Sequence, residues 1–397
     1  MAEEVWMLQT KKADFKQIGA RFQIDPVTAR IIRNRGIEGE AAIDRYLNGT
    51  LDDLYDPMLL KDMERAVSIL CEAVDTGKKI RIVGDYDIDG VCSTYILLQA
   101  FERLGSDVDF EIPDRIKDGY GINESIIEQA HADGVEVILT CDNGISAFHQ
   151  VELAKKYGMT VVITDHHEVP LDGENEKIPP ADAVIDPKQA DCPYPFPEIC
   201  GAVVAYKLVQ VLYARRGVPQ MEWLDLLEFA AIATVGDVMK LQDENRILVK
   251  YGLKKMAQTK NIGLRRLAEK NNLDLGAITA YHIGFVIGPC LNAGGRLKTA
   301  KEALALLRAQ SEEEAERLAE ELKELNDTRK DMTEQGTEAA KMQVESWYQK
   351  DKVLVVFLPE CHESLAGIIA GRLREYYQKP DRADARRGGG QRLGTFH

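Results

Sequence analysis

Two hydrophobic patterns follow one another along the chain, and the change between them falls near residue 79. Residues 1–75 are polar with helical spacing, interrupted by a turn-like LDDLYDP at 51–57, and predict an N-terminal helical region. From residue 79, apolar runs of strand length alternate with amphipathic runs of helix length. This alternation predicts an α/β fold, with a parallel sheet covered by helices on both faces.

The predicted elements of this region follow each other closely. A polar loop at 171–180 comes before the last strand. The strands are KIRIVGDYD, DVDFEIP, VEVILTCDNG, MTVVITDHHE and ADAVIDP, and the helices are VCSTYILLQAFERLG, ESIIEQAHADG and SAFHQVELAKKYG.

The second half of the chain predicts a different organisation. Residues 199–310 are mostly helical and complete a first domain at 76–310, and 311–350, rich in Glu and Lys, predict a long connector helix with a solvated face. DKVLVVFLPE and SLAGIIAGRLREYYQ begin a second, incomplete α/β domain at 351–380. Residues 381–397 carry four arginines without apolar periodicity. We expect them to supply no strand and to be a non-native tail, produced by a frameshift or truncation.

Composition narrows the class of protein. Hydrophobic residues make up 45% and charged residues 29%, as in ordinary globular proteins, and no apolar run reaches the roughly 18 residues of a membrane span. MAEEVWMLQT has no signal-peptide pattern and the seven cysteines form no CxxC pair, so we expect a cytoplasmic protein. The net charge of −15 argues against a protein that only coats DNA, but bound metal ions keep a nuclease possible.

Metal-competent side chains follow three of the predicted strands. Asp85 and Asp87 follow the first, Asp142 follows the third, and His166 and His167 follow the fourth. The carboxyl ends of parallel strands meet at one edge, where ligands bind. Carboxylates crowded there repel one another and need cations. Carboxylates with imidazoles and no thiolate favour Mn²⁺ or Mg²⁺.

Two further acids complete this predicted site. A shared carboxylate can hold two ions about 3.5–4 Å apart, which activate a water and stabilise the leaving oxygen in phosphoryl hydrolysis. Asp237, in ATVGDVM, is the candidate for the remaining ligand, although alone it would read as a helix-end acid. Asp89 is either a partner that orients the ligands or a cap of the next helix. The pattern predicts a two-metal phosphoesterase.

These motifs resemble the DHH phosphoesterase superfamily and, within it, the RecJ single-strand-specific exonucleases. VGDYDIDG, TCDNG, TDHHE and ATVGDVM are similar to the sequential motifs of the family, and the resemblance covers roughly residues 5–380. Further similar segments are IIRNRGI at 31–37, DPMLLKDMERAV at 56–67, GYGIN at 119–123, GPCLNAGGRL at 288–297 and CHESLAGIIAGRL at 361–373.

The resemblance assigns expected roles to the metal-site residues. Asp85 and Asp87 resemble the first-motif ligands, Asp142 the bridging carboxylate, and His166 and Asp237 the remaining ligands of one metal.

Further roles are expected around the metals. His167 resembles the second histidine, beside the scissile phosphate or the metals, and with Asp89 it is the candidate catalytic group. Arg296, with Asn292 and Gly295, lies in a predicted Gly-rich loop suited to a phosphate. His362 opens the second, DHHA1-like domain, as a strand-binding or a capping residue.

The implied activity is 5′-to-3′ hydrolysis of single-stranded DNA to mononucleotides in repair and recombination. Implied partners are single-stranded DNA, a single-strand-binding protein and a helicase. Family members continue after residue 380 into a Gly-Ser-Gly-Arg loop and an OB-like domain, so we expect weakened DNA binding here.

Two other functions remain open. A small-substrate DHH enzyme, an oligoribonuclease or cyclic-dinucleotide phosphodiesterase, is disfavoured by the long N-terminal region. A non-catalytic replication scaffold with a decayed site is disfavoured because each ligand position is intact.

Overall fold

The N-terminal region is helical. The computed structural model describes Met7, residues 11–115 and 119–379, and the backbone of residues 381–386 and 392–396. Short 3₁₀ turns at Leu51–Asp53 and Pro57–Leu59 precede the last helix of this region. The helices are α1 (Phe15–Phe22), α2 (Pro26–Asn34), α3 (Glu40–Asn48) and α4 (Met63–Thr76).

A five-stranded parallel sheet follows, as the sequence predicted. Its strand order is β2–β1–β3–β4–β7, and a two-stranded hairpin, β5 (Leu171–Asp172) with β6 (Asn175–Glu176), occupies part of the expected polar loop. The remaining elements are β1 (Ile80–Val83), α5 (Ile88–Arg103), β2 (Val108–Glu111), α6 (Glu124–Ala132), β3 (Val137–Cys141), α7 (Phe148–Lys156), β4 (Thr160–Thr164) and β7 (Ala183–Ile185).

Both faces of this sheet are covered, which explains the continuous apolar runs. Ile82 and Leu139 pack into a large core shared with α5, while Val83 and Ile138 pack on the opposite face in a smaller core shared with α6 and α7. Every residue of β1 and β3 is buried. The strands are therefore held rigidly, and their carboxyl ends open at one edge.

A helical part packs against the large core. Its elements are α8 (Gly201–Arg216), α9 (Gln220–Leu224), α10 (Leu227–Gly236), α11 (Asp243–Met256), α12 (Ile262–Lys270), α13 (Ala280–His282), a π-helical turn (Ile283–Ile287), α14 (Gly288–Leu297) and α15 (Lys301–Arg308). Within the described part of the chain, no helix is both long and apolar enough to cross a membrane.

The expected Gly-rich loop around Arg296 is wrong, because these residues lie in α14. The glycines serve close packing instead of a turn. A Cβ on Gly295 would lie 2.3 Å from the Tyr86 carbonyl oxygen, and one on Gly294 would lie 2.6 Å from the Thr299 carbonyl oxygen. The helix therefore approaches the segment after β1 at backbone distance.

A long helix, α16 (Glu312–Gln343), leads to the second domain and ends in a π-helical turn (Val344–Tyr348). One of its faces is buried, through Leu318 and Leu322 among others, and contacts α12 and α14. Lys270 of α12 pairs with Glu316 and Glu320 at 2.6 Å each. Only part of this helix is solvated, because the rest rests on the first domain.

The second sheet has three strands in the order β10–β9–β8. Its elements are β8 (Leu354–Leu358), α17 (Ala366–Tyr377), β9 (Asp381–Arg386) and β10 (Arg392–Phe396). β9 pairs parallel to β8, and β10 pairs antiparallel to β9.

The expectation that residues 381–397 supply no strand is therefore wrong. Pairing in a sheet uses backbone N–H and C=O groups, so it does not require the apolar alternation that this segment lacks. The tail's arginine side chains, and residues 387–391 and 397, lie outside the described residues. The frameshift origin stays a prediction.

Candidate metal centre

Three predicted ligands lie where β1 and β3 end. Asp85 follows β1 by two residues, and Asp87 caps α5 by accepting the N–H groups of Asp89 at 2.9 Å and Gly90 at 3.0 Å. Asp142 follows β3 directly, with a positive φ of 60°. Because neighbouring parallel strands end at the same edge, the three carboxylates come together.

Asp89 has a role that differs from the simple cap considered above. Asp87, and not Asp89, caps α5. The Asp89 carboxylate instead accepts the N–H groups of Gly201 and Ala202, at 2.7 Å each, at the start of α8. This bond draws α8 against the site so closely that a Cβ on Gly201 would lie 2.7 Å from the Asp142 Cβ.

His166 is the centre of the cluster. Its Nε2 lies 3.0 Å from Oδ1 of Asp142, 3.4 Å from Oδ2 of Asp89 and 3.9 Å from Oδ2 of Asp237. Asp237 reaches it from the end of α10, which the sequence placed far from the strand ends. The structure thus joins a helix end to the sheet edge.

Three groups of side chains in the described residues have ligand atoms within 4.8 Å of one another. Asp142 belongs to two of these groups and His166 belongs to two, so the groups overlap. They are Asp85–Asp87–Asp142, Asp89–His166–Asp237 and Asp142–His166–His167. This overlap is what two adjacent cations bridged by one carboxylate require.

Burial and mutual repulsion hold protons on these carboxyls. Burial, with the neighbouring Asp87, raises the pKa of Asp85 to about 7. Burial, with Asp89 and Asp87, raises the pKa of Asp237 to about 7. The pKa values of Asp87 and Asp142 are raised for the same reasons. Without a cation, the site therefore resists full ionisation.

Two buried atoms in the cluster have no hydrogen-bond partner among the described residues. They are Oδ1 of Asp85 and Nδ1 of His166. Burial lowers the pKa of His166, which keeps the imidazole neutral and able to bind a metal. Free acceptor atoms, repelling carboxylates and a neutral imidazole together fit divalent cations.

His167 is held by two residues that the sequence did not single out. Its Nδ1 lies 2.7 Å from Oδ1 of Asp165, and the Tyr120 hydroxyl lies 3.1 Å from the same nitrogen and 2.9 Å from the carbonyl oxygen of Asp142. Burial alone would lower the pKa of His167, but the Asp165 carboxylate raises it to about 9. The Asp165 carboxylate therefore favours the protonated form of the His167 imidazole. In the sequence, the only indication of this contact was that Asp165 directly precedes the two histidines.

The Asp165 carboxylate also organises the backbone of this edge. It accepts the N–H groups of Ile145 at 2.8 Å and His166 at 2.7 Å. These bonds and the charge of His167 lower its pKa despite full burial. One ionised carboxylate thus fixes the loops after β3 and β4.

Arg296 lies at the boundary between the two domains. Its Nη1 donates to the carbonyl oxygen of Ser364 at 3.2 Å. Burial, with the nearby Arg115 and Arg329 guanidinium groups, lowers the pKa of Arg296 to about 10. Asn292, on the same helix, is partly exposed. The substrate-binding roles of Arg296, Asn292 and Gly295 stay predictions.

His362 caps the short 3₁₀ turn Glu363–Leu365. Its Nδ1 lies 2.8 Å from the Ser364 hydroxyl and accepts the Ser364 N–H at 3.4 Å. This is the capping role that the sequence left open, and a role in binding a strand stays a prediction.

The sheet, its covering helices and this cluster agree with the comparisons to known proteins. The family model described as "DHH family, N-terminal domain" matches residues 79–234, which carry the strand ends and α5, α8 and most of α10. The chain is 35% identical to the single-stranded-DNA-specific exonuclease RecJ of Bacillus subtilis over 94% of this chain and 46% of that protein.

Two solved structures extend the match. Exonuclease RecJ bound to manganese aligns with a TM-score of 0.73 and 33% identity, over 82% of this chain and 80% of that one. RecJ of Thermus thermophilus in complex with Mn²⁺ aligns with a TM-score of 0.78 and 30% identity, over 94% of this chain and 52% of that one. The chain belongs to the RecJ exonuclease family. It spans roughly half to two thirds of the length of the curated relatives it matches.

Proposed function

We propose that this chain is a divalent-metal-dependent exonuclease that hydrolyses phosphodiester bonds of single-stranded DNA from the 5′ end. The observation that supports this best is the overlap of the ligand groups through Asp142 and His166. Such an arrangement suits a phosphate placed between two ions. The RecJ relatives are named for activity on single-stranded DNA, and two of their structures hold manganese.

The residues of the cluster would have two kinds of role, metal binding and positioning of the site. Asp85, Asp87 and Asp142 would hold one Mn²⁺ or Mg²⁺ ion, and His166 and Asp237 would hold the second, with Asp142 bridging. Ions bound there would supply an activated water and would stabilise the leaving oxygen. Asp89 positions the site by fixing the start of α8, as its two 2.7 Å bonds indicate.

His167 would act on the phosphate itself. Because Asp165 keeps it protonated, its ring carries a positive charge at the rim of the cluster. A charged imidazole can donate to a phosphate oxygen as negative charge develops there. The Tyr120 hydroxyl contacts the same ring at Nδ1.

A chain of guanidinium groups would hold the rest of the strand. Burial, with Arg115 and Arg329 nearby, lowers the pKa of Arg296, and burial, with Arg372 of α17 nearby, lowers the pKa of Arg329. Guanidinium groups that repel one another at close range are stabilised when the phosphates of a nucleic acid bind between them. We infer that the phosphates run from the metal centre past these arginines toward the second domain. A place in cytoplasmic DNA repair and recombination, alongside a single-strand-binding protein and a helicase, follows from the family and belongs to the same proposal.

Product analysis tests this function. We expect the chain with Mn²⁺ to release mononucleotides from a single-stranded oligonucleotide labelled at its 5′ end, and Asp142→Ala to release none. Circular dichroism of the variant serves as the folding control. Hydrolysis of only dinucleotides or cyclic dinucleotides would identify a small-substrate enzyme instead. No hydrolysis of any of these by a folded, Mn²⁺-bound chain would support the scaffold.

A further inference from the structure

Two exposed aromatic rings stack on each other in the segment that runs from α13 to α14. Tyr281 is 62% exposed and Phe285 is 68% exposed, and their rings stack with centroids 4.8 Å apart and planes 28° apart. A phenylalanine this exposed forgoes most of the roughly 1.5–3 kcal/mol that full burial of its side chain could contribute. A stacked pair left open to solvent is therefore a surface that a partner can cover.

An irregular helical turn carries this aromatic pair. Tyr281 lies on α13, and Phe285 lies on the π-helical turn that joins α13 to α14. Such single π turns lose regular helical pairing and occur often at functional sites. The i, i+4 spacing of the two residues brings both rings to one face.

The turn that carries the pair packs against elements of the metal centre. A Cβ on Gly284, between the two aromatics, would lie 3.6 Å from Cγ1 of Val235, two residues before Asp237. On the other side, a Cβ on Gly288 would lie 3.3 Å from Ile88, the first residue of α5 after Asp87. The turn therefore packs on the two helices whose ends supply metal ligands.

We propose that Tyr281 and Phe285 form a stacking platform for unpaired bases of the strand whose phosphate lies at the metal centre. This rests on the proposed function and names a subsite for it. Aromatic faces stack on any base, so the platform would bind without sequence preference. Paired bases already stack on their neighbours and expose little face, so the platform would favour single strands over duplexes.

Abasic scanning of the substrate tests the platform directly. Fluorescein-labelled 12-nucleotide oligonucleotides, each with one abasic sugar, are titrated with the whole chain by anisotropy on ice, with Ca²⁺ in place of Mn²⁺ so that the strand is not digested. We expect one or two abasic positions to weaken binding by unmodified protein about 5- to 50-fold. Phe285→Ala should weaken binding of the intact strand by a similar factor and be insensitive to those same positions.

Matched variants separate stacking from general packing. Phe285→Trp should retain the affinity, and Phe285→Leu, which keeps apolar bulk without an aromatic face, should behave as Phe285→Ala. The control is Tyr157→Ala, which removes an exposed ring stacked on His131 with centroids 4.2 Å apart. That pair lies at the far ends of α6 and α7, away from the strand ends that carry the metal site.

The outcomes distinguish this inference from the proposed function. Anisotropy needs no hydrolysis, so an inactive chain that still loses affinity through Phe285→Ala would support the platform alone. Unchanged affinity in Phe285→Ala and Tyr281→Ala, within twofold, would overturn it even in an active enzyme. An unchanged abasic profile in Phe285→Leu would overturn it as well.

Discussion

Buried charges are treated in opposite ways in two regions of the molecule. Away from the strand ends, they are paired. Lys207, in α8, lies 3.1 Å from Glu244, and Arg81, in β1, binds Asp109 at 2.7 Å and Asp133 at 2.8 Å. At the carboxyl edge of the same sheet, four carboxyls with raised pKa values crowd together with one neutral imidazole.

This difference teaches where the protein itself completes its charge balance and where it leaves the balance to ligands. In a buried ion pair, the attraction between the partners offsets much of the free energy lost by removing the charges from water. A buried charge without a partner has no such compensation and destabilises the fold. The carboxylate cluster therefore needs bound cations to balance its charge, whereas the ion pairs are balanced by the protein itself and belong to the scaffold. Substitutions in the two regions should have opposite effects on stability.

The largest effect should come from the central carboxylate. We expect Asp142→Asn to reduce kcat/KM for oligonucleotide hydrolysis by about 10,000-fold or more, about 5.5 kcal/mol, since Asp142 belongs to two of the three ligand groups. The same variant without metal should melt at a higher temperature than the unmodified chain, because one repelling carboxyl is gone. Calorimetry in EDTA measures this, and a lower melting temperature would contradict the comparison.

Breaking a scaffold pair should be costly in the opposite sense. Lys207→Met leaves the fully buried Glu244 without its cation, and we expect the free energy of unfolding to fall by about 3–5 kcal/mol. Chemical denaturation measures it. Lys188→Met, which removes a pair with the exposed Glu168, is the control and should change it by less than about 1 kcal/mol. Equal losses in the two variants would refute the distinction.

Asp165 belongs to both regions, because it is a buried carboxylate that has its partner. We expect Asp165→Asn to lower kcat about 10- to 100-fold, since His167 loses its charge and its orientation. Asp182→Asn is a matched control, because Asp182 accepts the Val161 N–H at 2.8 Å at the opposite end of β4. Steady-state kinetics should show less than a twofold change there, and a similar loss in both variants would remove the argument for His167.

Glu228 is an exception to this division, because it is a buried carboxyl that lies outside the metal centre and is not held in an ion pair by any residue that the structure describes. One of its oxygens accepts the Thr259 hydroxyl at 2.6 Å, and the other is buried without a partner among the described residues. Burial raises the pKa of Glu228 to about 7 from an ordinary value of 4.5. The folded chain therefore holds a proton that the unfolded chain releases, and stability should fall as the pH rises through this window.

The corresponding variant isolates that contribution. We expect Glu228→Gln to raise the free energy of unfolding by about 1–2 kcal/mol at pH 8 and to leave it unchanged at pH 4. Urea denaturation at the two pH values measures the difference. A gain that is equal at both pH values would show that ionisation is not the cause.

Much of the first domain could be predicted because its apolar runs are buried on both faces. The sheet and the convergence of Asp85, Asp142 and His166 follow from strand ends meeting at one edge. Asp237 was a candidate from its place after an apolar helix, but the sequence could not show how it reaches the strand ends, since its approach depends on how α10 packs on α5. Asp165 and Tyr120 were missed because their partners are set by loop geometry.

The errors also have physical causes. The glycines near Arg296 suggested a loop, but they allow α14 to touch the backbone at Tyr86. The tail lacked apolar alternation, but β9 pairs through its backbone. The stacked pair at Tyr281 and Phe285 was hidden in an apolar helical run, because exposure is decided by tertiary packing.

The contact of Gly201 with Asp142 has a consequence for ion size. The start of α8 presses on the central carboxylate with no side chain between them, so its position depends on backbone and not on a rotamer. An ion with a larger radius would have to move a 16-residue helix instead of turning a side chain. The resistance of the fold to this movement would then discriminate among divalent ions by size, and the close contact at Gly201 would set the limit.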